Sequence, residues 1–527
     1  MRLIAMLGLG TTLTACRAIK LASHFPGPSH RALHSVSRRP SSLVSMSAAM
    51  DTIFALSTGS SAQAGVAVIR VSGPRSSECL SQLSTPPGEQ EARKTPAPRR
   101  ATLRKLWHPK NGDPLDMSLV LWFPGPASFT GEDTVELHTH GSRAVIAGVL
   151  DALGATSKAG AAVRLAERGE FTERAYENGR MDLTEVEGLA DLIAADTAEQ
   201  RKQALRQMGG SLKEQYEQWR QELTTCLAHT EAVIDFGDDE DDVEESAYTA
   251  ILPKVEGIIV AMEKHLDDRK RGEIVRNGVS IAIVGPPNAG KSTLLNLLAA
   301  RPAAIVSPIA GTTRDVVEVQ LDLAGLPVIL RDTAGIRESS QTSDLIELEG
   351  IRRAREAARD AQLTIYVKDA SRGQDEGGDV VPRQDQDQEQ GLLIEDAENV
   401  ITVLNKVDLA DAAADSTDAS NATGKVWSMS LKTQQGVEPF IAHLEQEVRA
   451  RYASGDDSEP PLITRERHRD HMESCLRALR SSLDRNLGLE LAAEELRVAS
   501  NELGRITGAV GVEELLDVIF RDFCIGK

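Results

Sequence analysis

At 527 residues the chain has room for three or four domains of about 150 residues each, and 41% apolar with 26% charged residues excludes both wholesale disorder and a fibrous repeat. Beyond the extreme N-terminus no apolar run of about 18 residues is free of charge or helix-breaking residues, so an integral membrane protein is not expected. Asp and Glu outnumber Lys and Arg 79 to 59, a net charge of −20, which excludes a basic sheath for nucleic acid and leaves local patches or a partner as the routes to RNA.

Residues 1–50 contain no Asp or Glu, six Lys/Arg and eight Ser, the composition of an organelle-targeting presequence. An apolar run at 3–16 ahead of a basic, Ser-rich stretch gives it two parts. Such a presequence is similar to those that reach plastids bounded by extra membranes; the alternatives are a mitochondrial presequence and an untrimmed tail. Cys16, Cys79, Cys226, Cys475 and Cys524 form no Cys-x-x-Cys pair, which argues against a disulfide framework or a structural zinc and fits a reducing compartment.

From 51 to 182, β-like runs at 66–71, 119–123 and 134–138 alternate with Gly/Pro punctuation and one helical run at 142–153, an α+β domain. From 183 to 277 the apolar positions 186, 189, 190 and 193, then 205, 208, 212, 216, 219, 223 and 227, keep helical spacing through long amphipathic helices that continue past the acidic stretch 235–245. Between 278 and 452 short apolar strands at 280–284, 316–323, 328–330, 363–367, 400–404 and 426–429 alternate with helices, predicting a mainly parallel α/β sheet. Helical periodicity returns over 453–527. The expected fold is therefore multidomain α+β: an N-terminal α+β domain and an α-helical bundle built from two stretches, with an α/β P-loop domain inserted between them.

Gly285-Pro-Pro-Asn-Ala-Gly290-Lys291-Ser292 matches G-x-x-x-x-G-K-[ST] directly after a predicted strand and before a helical run that opens with Thr293. Glycines in such a loop let the backbone N–H groups of Asn288, Ala289 and Gly290 close around phosphate oxygens. Lys291 neutralises charge there and the Ser292 hydroxyl suits Mg²⁺. Downstream come Gly311-Thr312-Thr313, then Asp332-Thr333-Ala334-Gly335, Asn405-Lys406-Val407-Asp408 and Ser430-Leu431-Lys432, in the order of a GTP-binding module. Asp408 can accept guanine N1–H and N2–H₂, Asp332 can reach Mg²⁺ through water, and the Gly335 N–H can sense a γ-phosphate. Ile336 follows Gly335 where many GTPases place a water-orienting Gln, so hydrolysis needs another group. Glu338, Asp344, Glu347 and Glu349 are candidates for positioning water, and Asn288 for holding a cation.

Outside these motifs the sequence resembles the MnmE (TrmE) family of tRNA-modification GTPases in its organellar form, over essentially all of residues 51–527. The marks are Asp51-Thr-Ile-Phe-Ala, Gly65-Val-Ala-Val-Ile-Arg70-Val-Ser-Gly73, Phe129-Thr-Gly-Glu-Asp133, Glu136-Leu-His138-Thr-His140-Gly141, Arg168-Gly-Glu-Phe171-Thr-Glu-Arg174, Asn178-Gly-Arg-Met-Asp-Leu183 and the closing Phe523-Cys524-Ile525-Gly526-Lys527. The resemblance implies a homodimer formed through the N-terminal domain and joint action with a GidA-type FAD-dependent partner. It also implies a 5-formyl- or 5,10-methylene-tetrahydrofolate as one-carbon source for an aminomethyl-type group on C5 of the tRNA wobble uridine. Arg70, Glu136, Arg180 and Lys527 fall at the folate-contacting positions, with Arg180 standing where Lys is commoner in the family. Cys524 either joins the chemistry there or shapes the pocket. For hydrolysis the resemblance implies K⁺ held by Asn288, Ser307, Ile309 and Thr312, Mg²⁺ held by Ser292 and Thr313, and water positioned by Glu347. The stretch from Glu338 to Glu347 is about three residues longer than the family norm, which keeps Glu349 in view. A reading from another class, a GTP-regulated RNA-binding or ribosome-assembly factor, would leave the N-terminal domain as a dimer scaffold alone.

Overall fold

The computed structural model describes residues 51–59, 64–158, 162–236, 241–301, 317–332, 356–372, 399–409, 425–453, 462–484, 486–511, 516, 519–521 and 523–527. The N-terminal part is a mixed sheet covered by helices: β1 Thr52–Leu56, β2 Ala64–Ser72, α1 Ser76–Ser84, β3 Thr102–Trp107, β4 Pro114–Phe123, β5 Thr134–Gly141, α2 Arg143–Gly154, β6 Val163–Leu165 and α3 Glu170–Glu177. The strand order is β3-β4-β5-β2-β1-β6, with β1 antiparallel to β2 and parallel to β6. Strand alternation divides the side chains. Phe54, Ile69, Val71, Val135 and Leu137 meet Cys79, Leu80 and Leu83 of α1 and Val149 and Leu153 of α2, while Ile53 and Ala55 pack on Phe171 across the other face. The single helical run expected in this domain is thus corrected to three helices. Helix α1 escaped notice because only Cys79, Leu80 and Leu83 mark its buried stripe among six polar residues.

Helices follow as α4 Leu183–Ala194, α5 Ala198–Met208, α6 Ser211–Phe236, α7 Asp241–Leu266 and α8 Arg271–Asn277. Capping boxes, Asp182 with Glu185 and Thr197 with Gln200, start α4 and α5. Residues 193 and 205 lie in helices as their spacing predicts, but not on the buried face: Ile193 and Leu205 are exposed, and α5 buries Glu199, Gln203, Ala204 and Gln207 instead. The glutamine amide nitrogens donate to backbone, Gln203 Nε2 to Gly272 O and Gln207 Nε2 to Thr184 O, both at 3.0 Å, while Gln207 Oε1 accepts from the Thr464 hydroxyl at 2.9 Å.

The inserted module holds β7 Val279–Val284, α9 Lys291–Ala299, β8 Val317–Leu323, β9 Leu326–Asp332, β10 Leu363–Asp369, β11 Val400–Asn405, β12 Val426–Ser428 and α10 Val437–Tyr452. Its sheet runs β12-β11-β10-β7-β9-β8 and is parallel except for β8. The chain then returns to the bundle as α11 Glu466–Ser482 and α12 Leu489–Thr507. One core joins Leu212, Tyr216 and Leu223 of α6 and Val255 and Met262 of α7 to Met472, Cys475 and Leu479 of α11 and Leu496 and Leu503 of α12, so the helical stretches on either side of the module fold together. No helix among the described residues is long and apolar enough to cross a membrane.

Entry to and exit from the module lie side by side, for a Cβ on Gly272 would stand 2.2 Å from Ile463 O. Arg469 bridges the junction, to Asp268 at 2.7 Å and Glu273 at 2.9 Å. Nearby, Glu187 of α4, 1% exposed, receives His468 at 2.8 Å and Arg467 at 3.0 Å. Burial opposes the Glu187 charge, but His468, Arg467 and Arg465 together hold its carboxyl down at about 2, against an ordinary 4.5. Its contribution is therefore present above the ordinary carboxylate range and is lost as pH falls towards 2. Glu187→Ala, which strands Arg465 and Arg467 and leaves the buried His468 ring without its acceptor, should cost about 3–5 kcal/mol in the urea unfolding transition of the helical bundle. A cost below about 1 kcal/mol would show that the cations find other partners.

Candidate functional site

Two groups of polar residues stand apart from the core. The first gathers at the carboxyl ends of the parallel strands, where α/β sheets bind ligands. Strand β7, buried at every residue, delivers Gly285 against the end of β10, where a Cβ would meet Val367 O at 2.1 Å. Asn288 and Gly290 take left-handed backbone angles, φ +64° and +106°, and α9 begins at once with Lys291. Lys291 Nζ folds back over its own loop and donates to the carbonyls of Gly285 and Pro286, both at 2.9 Å. Ala289 is buried; Ser292 and Thr293 open the first turn exposed. Asp332, at the end of β9, pairs with Ile283, two residues before the loop.

Asn405, 3% exposed at the end of β11, binds three motifs together. Its Nδ2 donates to Ala289 O at 2.7 Å and its Oδ1 accepts from Leu431 N at 3.1 Å. Gly290 has to lack a side chain because a Cβ would stand 2.2 Å from Asn405 Nδ2. Lys406 sits at φ +66° and pairs with Asp369 at 2.7 Å. Hydrogen bonds from Lys406 and Ser371 pull the Asp369 carboxyl down to about 2. Asp408 Oδ1 accepts from the buried Ser430 hydroxyl at 2.7 Å, and Lys432 is exposed beyond Leu431.

The second group lies on the N-terminal sheet. Arg70 on β2 stands opposite Glu136 on β5 and donates to it through Nη2 at 3.0 Å and Nε at 3.3 Å. The guanidinium lies 5.0 Å from the Phe129 ring centroid and 5.7 Å from that of Phe171, cation–π range. His138 Nε2, 3.5 Å from Glu136 Oε2, is a buried polar atom that makes no hydrogen bond. The chain end closes on this domain: Ile525 bridges to Arg168, and a Cβ on Gly526 would stand 2.1 Å from Leu56 O, one residue along β1 from the partner of Arg70. Cys524 is exposed and Lys527 half-buried. Exposed Arg180 runs beside the loop that carries Phe129, its Cγ 3.3 Å from where a Cβ on Gly131 would be.

Residues 183–524 match the model of the MnmE helical domain, and residues 52–180 that of the N-terminus of GTP-binding protein TrmE. The chain belongs to the MnmE family. The tRNA modification GTPase MnmE of Parvibaculum lavamentivorans is 48% identical over 481 residues, 91% of this chain and 100% of that protein. The 5-taurinomethyluridine-tRNA synthase subunit GTPB3 of Homo sapiens, named as mitochondrial, is 46% identical over 486 residues, 90% of this chain and 93% of the relative. Its Danio rerio counterpart is 45% identical over 489 residues.

In this MnmE-family chain, the P-loop residues, Asn405, Lys406, Asp408, Ser430, Leu431 and Lys432 come together at one end of the sheet, and Arg70 meets Glu136 directly. Ser307, Ile309, Thr312, Thr313, Thr333, Ala334, Gly335, Glu338, Asp344, Glu347 and Glu349 lie outside the described residues. Sequence reasoning passed over Asp369, which closes β10 without belonging to a motif. It also gave no role to Phe129, His138 and Phe171, although all three stand inside the quoted family marks. Ser430→Ala removes the hydroxyl that orients Asp408, so affinity for a fluorescent GDP should fall about tenfold at unchanged melting temperature. Unaltered affinity would show that Asp408 needs no such support.

Proposed function

We propose that this protein is a potassium-stimulated GTPase of tRNA wobble-uridine modification, acting with a GidA-type FAD-dependent partner and a tetrahydrofolate one-carbon unit. Family membership supports the GTPase and the tRNA reaction. The observation that carries the folate proposal is the corner at Arg70 and Glu136. It offers a paired cation and carboxylate under two aromatic rings, with the unsatisfied His138 Nε2 beside them and the chain terminus folded against it. A pterin's amino-pyrimidinone edge suits the carboxylate and its glutamate tail suits Arg180 and Lys527, so the residues fit the group. The bound folate would supply the one-carbon unit. Arg70 would hold Glu136 ionised and aimed, the aromatic rings would keep water out, and exposed Cys524 lies close enough in sequence to Lys527 to help shape the pocket.

At the nucleotide end, Asp408 reads guanine, Lys291 exchanges its loop carbonyls for phosphate oxygens, and Ser292 with Thr313 would hold Mg²⁺. The exposed Asn288 fits one place in a K⁺ shell that Ser307, Ile309 and Thr312 would complete, where a cation stabilises charge developing between phosphates. Glu347 would position the attacking water. The N-terminal domain would pair with a second copy through its exposed apolar stripe, Leu103 of β3 opposite Leu119 of β4 with Met117 alongside, on the same sheet face as Arg70. The domain limits proposed are 51–182, 183–277, 278–452 and 453–527, after a presequence at 1–50. An organellar home is supported by the animal relatives named as mitochondrial; the plastid preference draws no support from them.

Depletion of the protein should remove the C5 substituent from wobble uridines of organellar tRNA, with rescue by the parent chain and not by Arg70→Ala. Unchanged wobble uridines in nucleoside analysis would defeat the proposal. In turnover assays Glu347→Ala should retain GTP binding and hydrolyse on the order of 10²-fold more slowly, and the parent should slow when Na⁺ replaces K⁺. Equal rates in mutant and parent would remove Glu347 from its role, and indifference to the cation would point to an arginine supplied by a partner.

A further inference from the structure

Residues 92–112 hold seven of the chain's 59 Lys/Arg and none of its 79 Asp/Glu, in a protein of net charge −20. They form the segment leading into β3, β3 itself and the turn after it, and β3 is an edge of the N-terminal sheet. Lys94, Arg99, Arg100 and Lys110 are exposed. Of these cations only Arg93 has a carboxylate within reach among the described residues, Glu89 at 4.0 Å, with both side chains about half exposed. Arg104 is held by uncharged acceptors, Ser84 Oγ at 3.0 Å and Lys94 O at 2.6 Å. Burial and the nearby Arg93 charge both disfavour its cation, so like charges are gathered here with Glu89 the one carboxylate within reach among the described residues.

A lone lysine suffices to stop an edge strand from pairing with a neighbour. Seven cations with a single carboxylate within reach of them among the described residues go beyond that need. Strand β3 spans about 20 Å at roughly 3.3 Å per residue, comparable with several phosphates of a nucleic-acid backbone. The strip also leads to the reactive corner. Arg99 N donates to Trp122 O at 2.8 Å and its guanidinium to Ala127 O, in the loop that carries Phe129 over Arg70.

We propose that Arg93, Lys94, Arg99, Arg100, Arg104 and Lys110 form the strip on which the phosphate backbone of the substrate RNA docks, leading its target base towards Arg70 and Glu136. The strip rests on the tRNA reading given above and supplies the local patch that an acidic protein requires. Binding through it is electrostatic and independent of sequence, so salt must weaken it steeply.

The test uses the full chain and a fluorescein-labelled tRNA transcript with an unmodified wobble uridine, titrated by anisotropy between about 50 and 200 mM salt. Combined Lys94→Glu, Arg100→Glu and Lys110→Glu should weaken binding at least about tenfold and lower the slope of log affinity against log salt by about 2 to 3. The Gln versions of the same three changes should lower the slope similarly while RNA-free GTP hydrolysis stays at the parent rate. An equal charge change on the helical bundle, Lys254→Glu, Lys264→Glu and Arg477→Glu, should leave the slope within about 1 of the parent. Binding by the parent with an unchanged slope in the strip variants overturns this assignment alone, and so does an equal loss in the bundle variant. Unchanged tRNA binding with lost co-elution of the flavoprotein partner overturns it in favour of a protein face. No binding by the parent chain would overturn this assignment together with the tRNA reading.

Discussion

The architecture turns on one close approach, where the chain leaves the helical bundle at Gly272 and returns at Ile463. A side chain on Gly272 would overlap the Ile463 carbonyl, so the two passages can touch only because one of them is glycine. Gln203 satisfies the Gly272 carbonyl from one side, and Arg469 ties Asp268 and Glu273 together from the other. With its ends adjoining, an α/β module of its own core can be accommodated while Tyr216, Met262, Cys475 and Leu503 still close a single bundle interior.

The same economy shapes the nucleotide end and the Arg70 corner. In each, backbone is brought to near contact at glycines, and one buried or half-buried polar side chain holds separate pieces of chain in register. Gly285 and Gly290 admit the end of β10 and the amide of Asn405; Gly526 admits β1. Asn405 joins the P-loop to the segment after β12, as Arg70 joins β2 to β5 beneath Phe129. These connectors are polar, and their specificity comes from geometry that apolar packing would not supply.

The parts legible in the sequence were those where chemistry demands fixed spacing. A phosphate loop has to follow a strand and open a helix, so Gly285 to Ser292 could be placed without coordinates, and the strands at β7, β10 and β11 read directly from their apolar runs. The buried face of α5 could not be read because it carries Gln203 and Gln207, whose partners, the carbonyls of Gly272 and Thr184, lie on other elements. Helix α1 was hidden by its polar composition. Asp369 and the orphaned nitrogen of His138 acquire meaning only once Lys406 and Glu136 are seen beside them. The pattern is physical: periodicity reports apolar burial, whereas polar burial depends on partners distant in sequence.

Asn405 has a consequence for how variants of this protein are interpreted. Its amide group supports the peptide of Ala289 and the peptide of Leu431 at once, and it occupies the space that Gly290 leaves open. A substitution at this position disturbs the floor of the phosphate cradle as well as the wall beside the base. Weakened nucleotide retention in such a mutant therefore cannot be credited to base discrimination alone, whereas a change at Asp408, held by Ser430 and without a bond to Ala289, leaves that peptide untouched.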